Sequence, residues 1–359
     1  MRILYILLIV ICFYSCNNEK SLLSEYVEIS DCLKFSDEEF TYVNLKSHIL
    51  NDYVVDSFTG ISKIDTVLFA LTSGSSSDTL IHCFSSLNNI YVGSALTVGN
   101  GPNEFLSAST LEASVDSSCF WVFDIRKQIW SSMSLENLNK EIKYGKNINF
   151  RKTGMAGFTN PIWIDNDKYI VSNLFKHKER FFFFDKNDSI VKSVCNSKFF
   201  YKENLLNDGV LADIYSTRMC VTPNRSNIIL AGRYMDVIEI YDNEGSLLMN
   251  LKGPESGFHF HFDEERSLQS SSLVKSLDSR RAYLAVKATN ETIYALYSGK
   301  EKRNEEHYSY SKCLYSFSIN GKALKKYILD VPILDFVVDE ERKIIYAISI
   351  NREIVYFLF

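Results

Sequence analysis

Two histidines one residue apart, His259 and His261, stand just before a run of acids that begins at Asp263. On an extended strand alternate residues share a face, so these two imidazoles and the Asp263 carboxylate could together hold a metal ion. The cluster lies in a polar insertion, however, and a solvated loop accounts for it more simply. The histidines at 48, 82, 177 and 307 are isolated in sequence. No His-Glu-x-x-His, Gly-x-Ser-x-Gly or Cys-x-x-Cys motif occurs, so the chain lacks the usual signatures of a zinc peptidase, a serine hydrolase or a zinc-ribbon site. No motif specifies a cofactor. A pair of glycosidase carboxylates drawn from distant parts of the chain stays open, but 44 Asp and Glu give no basis for choosing one.

A second stretch invites a chemical reading. Gly99, Gly101, Pro102, Asn103, Glu104 and Phe105 form a short Gly-rich turn between hydrophobic segments. A phosphate-cradling loop would need a Gly-Lys-Ser/Thr ending that opens a helix, and neither is present. As a candidate binding loop the stretch competes with a structural role. Gly101 would take a positive φ at the end of a strand, Pro102 would fix the next turn, and Phe105 would anchor the connection. The pair Gly253-Pro254 recurs after a later hairpin and is also followed by a glutamate and a phenylalanine, which favours architecture.

At the N-terminus, Arg2 precedes an apolar run, Ile3–Phe13, that ends at Tyr14, Ser15 and Cys16. This is too short for a comfortable membrane span and fits a cleaved secretory signal, residues 1–15. The cysteine resembles that of a bacterial lipobox, with Cys16 lipidated and serving as a membrane anchor. Asn17 in place of Asp directs such proteins to the outer membrane, by the same resemblance. Residues 16–38 then read as lipidated cysteine and tether. A formal net charge of −5 gives no basic footprint for nucleic acid. The six further cysteines, at 32, 83, 119, 195, 220 and 313, are scattered and mostly lie in apolar runs, as small buried side chains do.

The elements that would position any site repeat along the chain. Leu111–Phe123, Pro161–Ser172, Arg218–Ala231, Ala282–Leu296 and Ile333–Ile348 each read as strand, polar turn, strand. A second hairpin follows in Phe181–Val194, Ile238–Leu251 and Leu314–Leu329, and Cys83–Ala95 fits the same slot. The unit is therefore four antiparallel strands, recurring every ~50 to 65 residues, at or above the spacing of propeller blades. Six units are counted, the first built from Ile61–Leu71 and Cys83–Ala95. The last has three strands before Phe359, and Glu39–Leu45 is expected to supply the fourth. The prediction is an all-β fold over 39–359: a six-bladed β-propeller of four-stranded antiparallel blades, closed by pairing of N- and C-terminal strands. Within its long insertions, the segment after Phe262 reads as a short helix. Phe181–Phe184 reads as a strand buried on both faces, and Lys176–Arg180 as a solvated turn.

The Cys-ended leader, the repeat and Gly99-Asn100-Gly101-Pro102-Asn103-Glu104-Phe105 together resemble the TolB-like, six-bladed-propeller lipoproteins of Bacteroidetes. Ile333–Ile348 is similar to that family's last blade, and NHL-type propellers carry a related Gly-Pro-Gly-Glu-Phe. The resemblance covers roughly Glu39 to Phe359. It implies the propeller fold, an extracytoplasmic location and a role in binding, and it supplies no catalytic residues. The expected function is a non-catalytic module for a protein, peptide or glycan, anchored to the outer membrane through Cys16. The alternative is a propeller hydrolase or lyase acting on a carbohydrate or lactone, marked by three or more Asp, Glu, Asn or His side chains gathered at one channel mouth.

Overall fold

The structure, a computed structural model, describes residues 27–50, 57–73, 78–116, 119–134, 144–150, 158–173, 179–201, 212–255, 263–266, 271–274, 277–304 and 308–359. Runs of β-branched and aromatic residues, cut by turns rich in Asp, Asn and Gly, give strands throughout. Several turns use left-handed backbone, at Asn89 (φ 59°), Asp188 (φ 63°), Gly245 (φ 81°) and Gly321 (φ 78°).

Four blades are simple meanders. Blade 1 comprises Phe58–Ile64, Val67–Thr72, Thr79–Ser85 and Ile90–Thr97, and blade 2 Thr110–Ala113, Cys119–Asp124, Ile129–Ser134 and Tyr144–Asn149. Blade 3 comprises Phe158–Trp163, Lys168–Asn173, Phe181–Asp185 and Ile190–Val194, and blade 4 Thr217–Val221, Asn227–Gly232, Val237–Asp242 and Leu247–Lys252. Blade 5 takes Arg280–Ala288, Thr292–Glu301, Ser311–Ser318 and the first part of Ala323–Asp339. That long strand runs straight on into blade 6, where its second part pairs with Ile344–Ser349, which pairs with Ile354–Leu358.

The N-terminal segment closes the ring. Ser47–Ile49 pairs antiparallel with Ile354–Leu358, with His48 opposite Tyr356, and so provides the fourth strand of blade 6. The expectation that Glu39–Leu45 would do this is corrected. Thr41–Leu45 instead pairs parallel with the outer edge of blade 5, Thr41 opposite Lys325 and Leu45 opposite Leu329. An outer strand that continues a meander must run antiparallel to its neighbour, and the chain reaches that direction only after it reverses at Lys46. Upstream, Cys32–Lys34 pairs parallel with the edge of blade 4, and Val27–Ile29 pairs with Phe199–Tyr201. The segment is thus a belt that runs along three successive blades.

Six apolar clusters fill the six joints between neighbouring blades, including the joint between blade 6 and blade 1, where Phe58, Leu68 and Phe84 meet Tyr346, Ile348 and Ile354. Phe181–Phe184 shows how one strand serves two joints. Phe182 and Phe184 enter the blade 2–3 cluster, Phe181 and Phe183 the blade 3–4 cluster, and all four are buried. Alternation of side chains across a strand makes this unavoidable when both faces are covered. All three tryptophans meet at the blade 2–3 joint, with Trp130 and Trp163 stacked at 5.2 Å.

Two further expectations are corrected. The segment read as a short helix is a hairpin, Asp263–Arg266 against Ser271–Val274. Its serine run is a weak helix former, because the hydroxyls compete for backbone hydrogen bonds. Arg180, read as part of a solvated turn, is buried. Its guanidinium pairs with Glu239, itself 1% exposed, through Nε–Oε2 at 3.1 Å and a second Nη2–Oε1 contact, and it also donates to the Tyr215 carbonyl. A buried arginine is tolerable because a bidentate carboxylate replaces its lost hydration.

Candidate functional site

The first strand of every blade faces the axis, so the ring of blades leaves a central channel lined by all six. Each inner strand is apolar where it meets neighbouring blades and polar where it meets the lumen. Glu112, Arg218, Lys287 and Asp335 stand on the inner strands of blades 2, 4, 5 and 6. The narrow part of the lumen is about 190 Å³, below the ~300–1,000 Å³ of ordinary ligand cavities, and at the Glu112 end it opens into a mouth of about 320 Å³. The narrow part suits water or a small group, and a larger ligand would have to sit at a mouth.

Charges alternate down this channel. Near the end where the inner strands begin, Arg218 donates Nε to the Leu284 carbonyl at 2.8 Å and lies in the field of Asp335. Asp335 accepts the Ile61 amide at 3.0 Å and faces Lys287 at 4.0 Å. Lys287 in turn acts on Glu112, as does Arg225, which donates to the Ala113 carbonyl at 3.2 Å. Lys63 and Asp339 pair at 3.2 Å, and Lys63, Glu112, Arg225 and Lys287 line the opposite mouth. Burial raises the Glu112 carboxyl above its ordinary value, more than the cationic neighbours lower it. Arg218 is held down to about 10, by burial first and then by repulsion from Arg233 and Arg281. It is walled in by protein yet keeps an exposed surface, the position of a side chain inside a water-accessible tube.

Asn160 is the remaining amide or acid in the lumen, and its Oδ1 accepts the Thr110 hydroxyl at 2.9 Å. Glu112, Asn160 and Asp335 are spread along the channel, each against its own partner, rather than gathered at one mouth. Among the described residues no three His, Cys, Asp or Glu side chains come together as a metal site. His259 and His261 lie outside the described residues, as does Cys16. Asp263 begins the short hairpin described above.

The strand ends fix the two faces. Every connection from an outer strand to the next inner strand, and every turn between second and third strands, opens on the face where the inner strands begin. The long stretches 98–109, 195–216, 253–279 and 302–310 all leave from strand ends on this face. At its mouth, Arg233 and Arg281 flank Tyr234, with guanidinium carbons 5.5 and 6.0 Å from the ring centre, and Arg281 also lies 4.4 Å above Tyr308. Backbone bonds tie this corner together, from Arg233 to the Ser216 carbonyl at 2.9 Å and from Ala282 to the Arg233 carbonyl at 2.8 Å.

The stretch Gly99–Phe105 belongs to the blade 1–2 connection, and its six candidate residues are not among those lining the lumen. Phe105 is buried in the joint between these blades, its amide bonded to the Thr97 carbonyl and its carbonyl to the Gly99 amide, both at 3.0 Å. The expected positive φ at Gly101 is not found; Asn103 takes the left-handed conformation, φ 62°. The glycines serve another purpose. Glu104 folds back so that Oε2 accepts the Gly101 amide at 2.6 Å, and a Cβ on Gly99 would lie 2.0 Å from that oxygen. Gly253-Pro254 holds the same topological place but differs in conformation, with a cis peptide and Gly253 pressed against the Phe35 carbonyl.

Reading the sequence by motif missed the charged residues of the lumen, although a signal was there. Glu112 and Arg218 are each the single charge in an apolar first strand, and Lys287 and Asp335 each interrupt the apolar run of a first strand whose other charges lie at its ends. On a strand flanked by two blades, the natural place for that charge is the axis.

Six four-stranded blades around a polar, charge-alternating channel define a six-bladed β-propeller. The chain belongs to the TolB-like 6-blade propeller-like family, whose model matches residues 35–341. It is similar in fold to a crystal structure of a DUF4221-family member from Bacteroides vulgatus ATCC 8482, with 12% identity, TM-score 0.58, and coverage of 92% of this chain and 97% of the other. It is also similar to the crystal structure of a protein described as exported, from Bacteroides fragilis NCTC 9343, with 12% identity, TM-score 0.55, and coverage of 88% and 99%. The search of curated proteins gave no match.

Proposed function

We propose that this chain is an extracytoplasmic, lipid-anchored binding module that takes a protein, peptide or glycan ligand on the face that carries its long connections. The observation that carries the reading is the state of the channel acids. Glu112 and Asp335 each face a cation, an arrangement that offers no free acid and base flanking a substrate bond. Four long connections, 98–109, 195–216, 253–279 and 302–310, leave meanwhile from one face, where a scaffold of this kind presents binding loops. Export is supported by the description of the similar Bacteroides fragilis protein and by the leader that ends at Cys16. The outer membrane is the proposed destination, with lipid on Cys16 as the anchor and the NHL-like turn at Gly99–Phe105 as part of the scaffold.

Two measurements test this. Protein starting at residue 21 is applied to glycan and peptide arrays, and bound ligands are incubated with it and analysed for product. Saturable binding without turnover is expected; turnover that disappears in Glu112→Gln or Asp335→Asn would establish the hydrolase or lyase instead. In cells, Cys16→Ala should move the protein from the membrane to the soluble fraction and abolish incorporation of labelled palmitate. Unchanged fractionation would remove the anchor from the reading.

A further inference from the structure

We propose that Arg218, Arg233 and Arg281 form a receptor for one oxyanionic group, a carboxylate, sulfate or phosphate, on a ligand that enters from the face bearing the long connections. This rests on the binding-module reading above and gives it a chemical class of ligand.

The three arginines meet where blades 4 and 5 adjoin at the channel mouth. Arg218 and Arg281 stand on neighbouring inner strands, and Arg233 sits in the blade 4 turn whose backbone bonds to both strand starts. Arg233 and Arg281 share the Tyr234 ring. Among the described residues none of the three forms an ion pair. Arg218 spends Nε on the Leu284 carbonyl and Arg281 spends Nη1 on the Ser309 hydroxyl at 3.1 Å. A guanidinium carries five N–H donors, so most of the donors in this corner are left for a ligand or water. The acid that acts on Arg218 is Asp335, already shared with the Ile61 amide and Lys287.

Arg180, on the same face, shows how this fold neutralises an arginine for structural purposes: a bidentate carboxylate, with a backbone carbonyl on the remaining edge. The mouth arginines lack that arrangement. Their mutual repulsion reaches Arg218, which is driven below its ordinary value partly by Arg233 and Arg281. Like charges held together by backbone geometry and tyrosine rings are a standing cost that a bound anion would remove. The recognition expected is by charge and forked hydrogen bonding. Stacking is not expected to contribute, because the faces of Tyr234 and Tyr308 are covered by the arginines themselves.

The test uses the full chain at fixed ionic strength, titrated with glucuronate, inorganic sulfate and inorganic phosphate, with chloride as the reference. Calorimetry should show saturable binding of at least one oxyanion, and the strongest of the three identifies the group. Arg233→Gln and Arg281→Gln should each weaken it by about tenfold or more, whereas Lys186→Gln, on the opposite face, should not. Should a variant fail to fold, the wild-type protein gives an independent readout: the bound anion should protect Arg233 and Arg281 from phenylglyoxal, as read by mass spectrometry. Titrations no different from chloride, affinity unchanged in both arginine variants, or absence of protection would overturn the proposal. Array binding that survives in these variants alongside a flat anion titration would overturn this inference and leave the binding module standing. Oxyanion binding with no ligand on any array would do the reverse.

Discussion

Glu104 and its two glycines show how a small motif can be conformational rather than catalytic. The Glu104 carboxylate caps the Gly101 amide, and the absence of a Cβ at Gly99 makes room for it. The clash predicted for Gly99→Ala involves the far end of a flexible side chain, so the carboxylate should swing away and lose its bond. The expected cost is about 1 kcal/mol, the net value of an exposed hydrogen bond. Adding Glu104→Ala to Gly99→Ala should cost little more, since both remove one interaction. Phe105→Ala is a different matter: its ring is 4% exposed in the blade 1–2 joint, and the expected loss is ~3–5 kcal/mol. Urea melts of the four proteins check this ordering. Equal losses in Gly99→Ala and Phe105→Ala would mean that the turn backbone, rather than the buried ring, holds the joint.

At the scale of elements, the N-terminal belt does more than complete blade 6. Phe35 and Phe40 insert between blades 4 and 5, with Phe35 4.9 Å from Phe317 and Phe40 4.9 Å from Tyr315. Asp37, in the short 3-10 turn Asp37–Glu39 between them, accepts the Tyr315 hydroxyl and Lys326. Leu45 enters the blade 5–6 cluster. A protein starting at residue 31 keeps all of these and should melt within a few degrees of one starting at residue 21. Starting at residue 47 removes two buried phenylalanines and Leu45, each worth ~2–5 kcal/mol, and uncovers the outer edges of blades 4 and 5. Starting at residue 51 also leaves Ile354–Leu358 as a bare edge that invites pairing between molecules. Thermal melts and size-exclusion chromatography should show a graded loss, with aggregation in the shortest protein. Identical melts across the series would mean that the belt is not part of the closure.

For the whole molecule, six joints close a ring and the ring encloses charge. Closure places Glu112 where it is surrounded by protein, and its carboxyl is raised because burial outweighs the pull of Lys287 and Arg225. The folded state therefore holds this proton more tightly than the unfolded chain does. Stability from this group is fully present below the unfolded value of 4.5 and is lost as pH rises through the higher folded value. Glu112→Gln should remove that loss. The variant is expected to match the wild type in urea midpoint near pH 4 and to exceed it near pH 8. A variant that is less stable than wild type at pH 8 would mean that the attraction to Lys287 and Arg225 dominates instead.

The period of strand and turn, the aromatic and β-branched runs, and the three-stranded final unit determined the propeller and the need for an N-terminal strand to close it. Those are local patterns, and the strands they specify must be buried on both faces, as Phe181–Phe184 shows. Which N-terminal segment closes blade 6 was not legible, because Thr41–Leu45 and Ser47–Ile49 are both extended and differ only in direction relative to the strand they meet. Arg180 looked solvated because its partner, Glu239, is remote in sequence. The arginine corner was invisible for the same reason. Arg218 and Arg233 belong to blade 4 and Arg281 to blade 5, and only curvature of the ring turns the first strands of separate blades toward one axis, where isolated charges become neighbours.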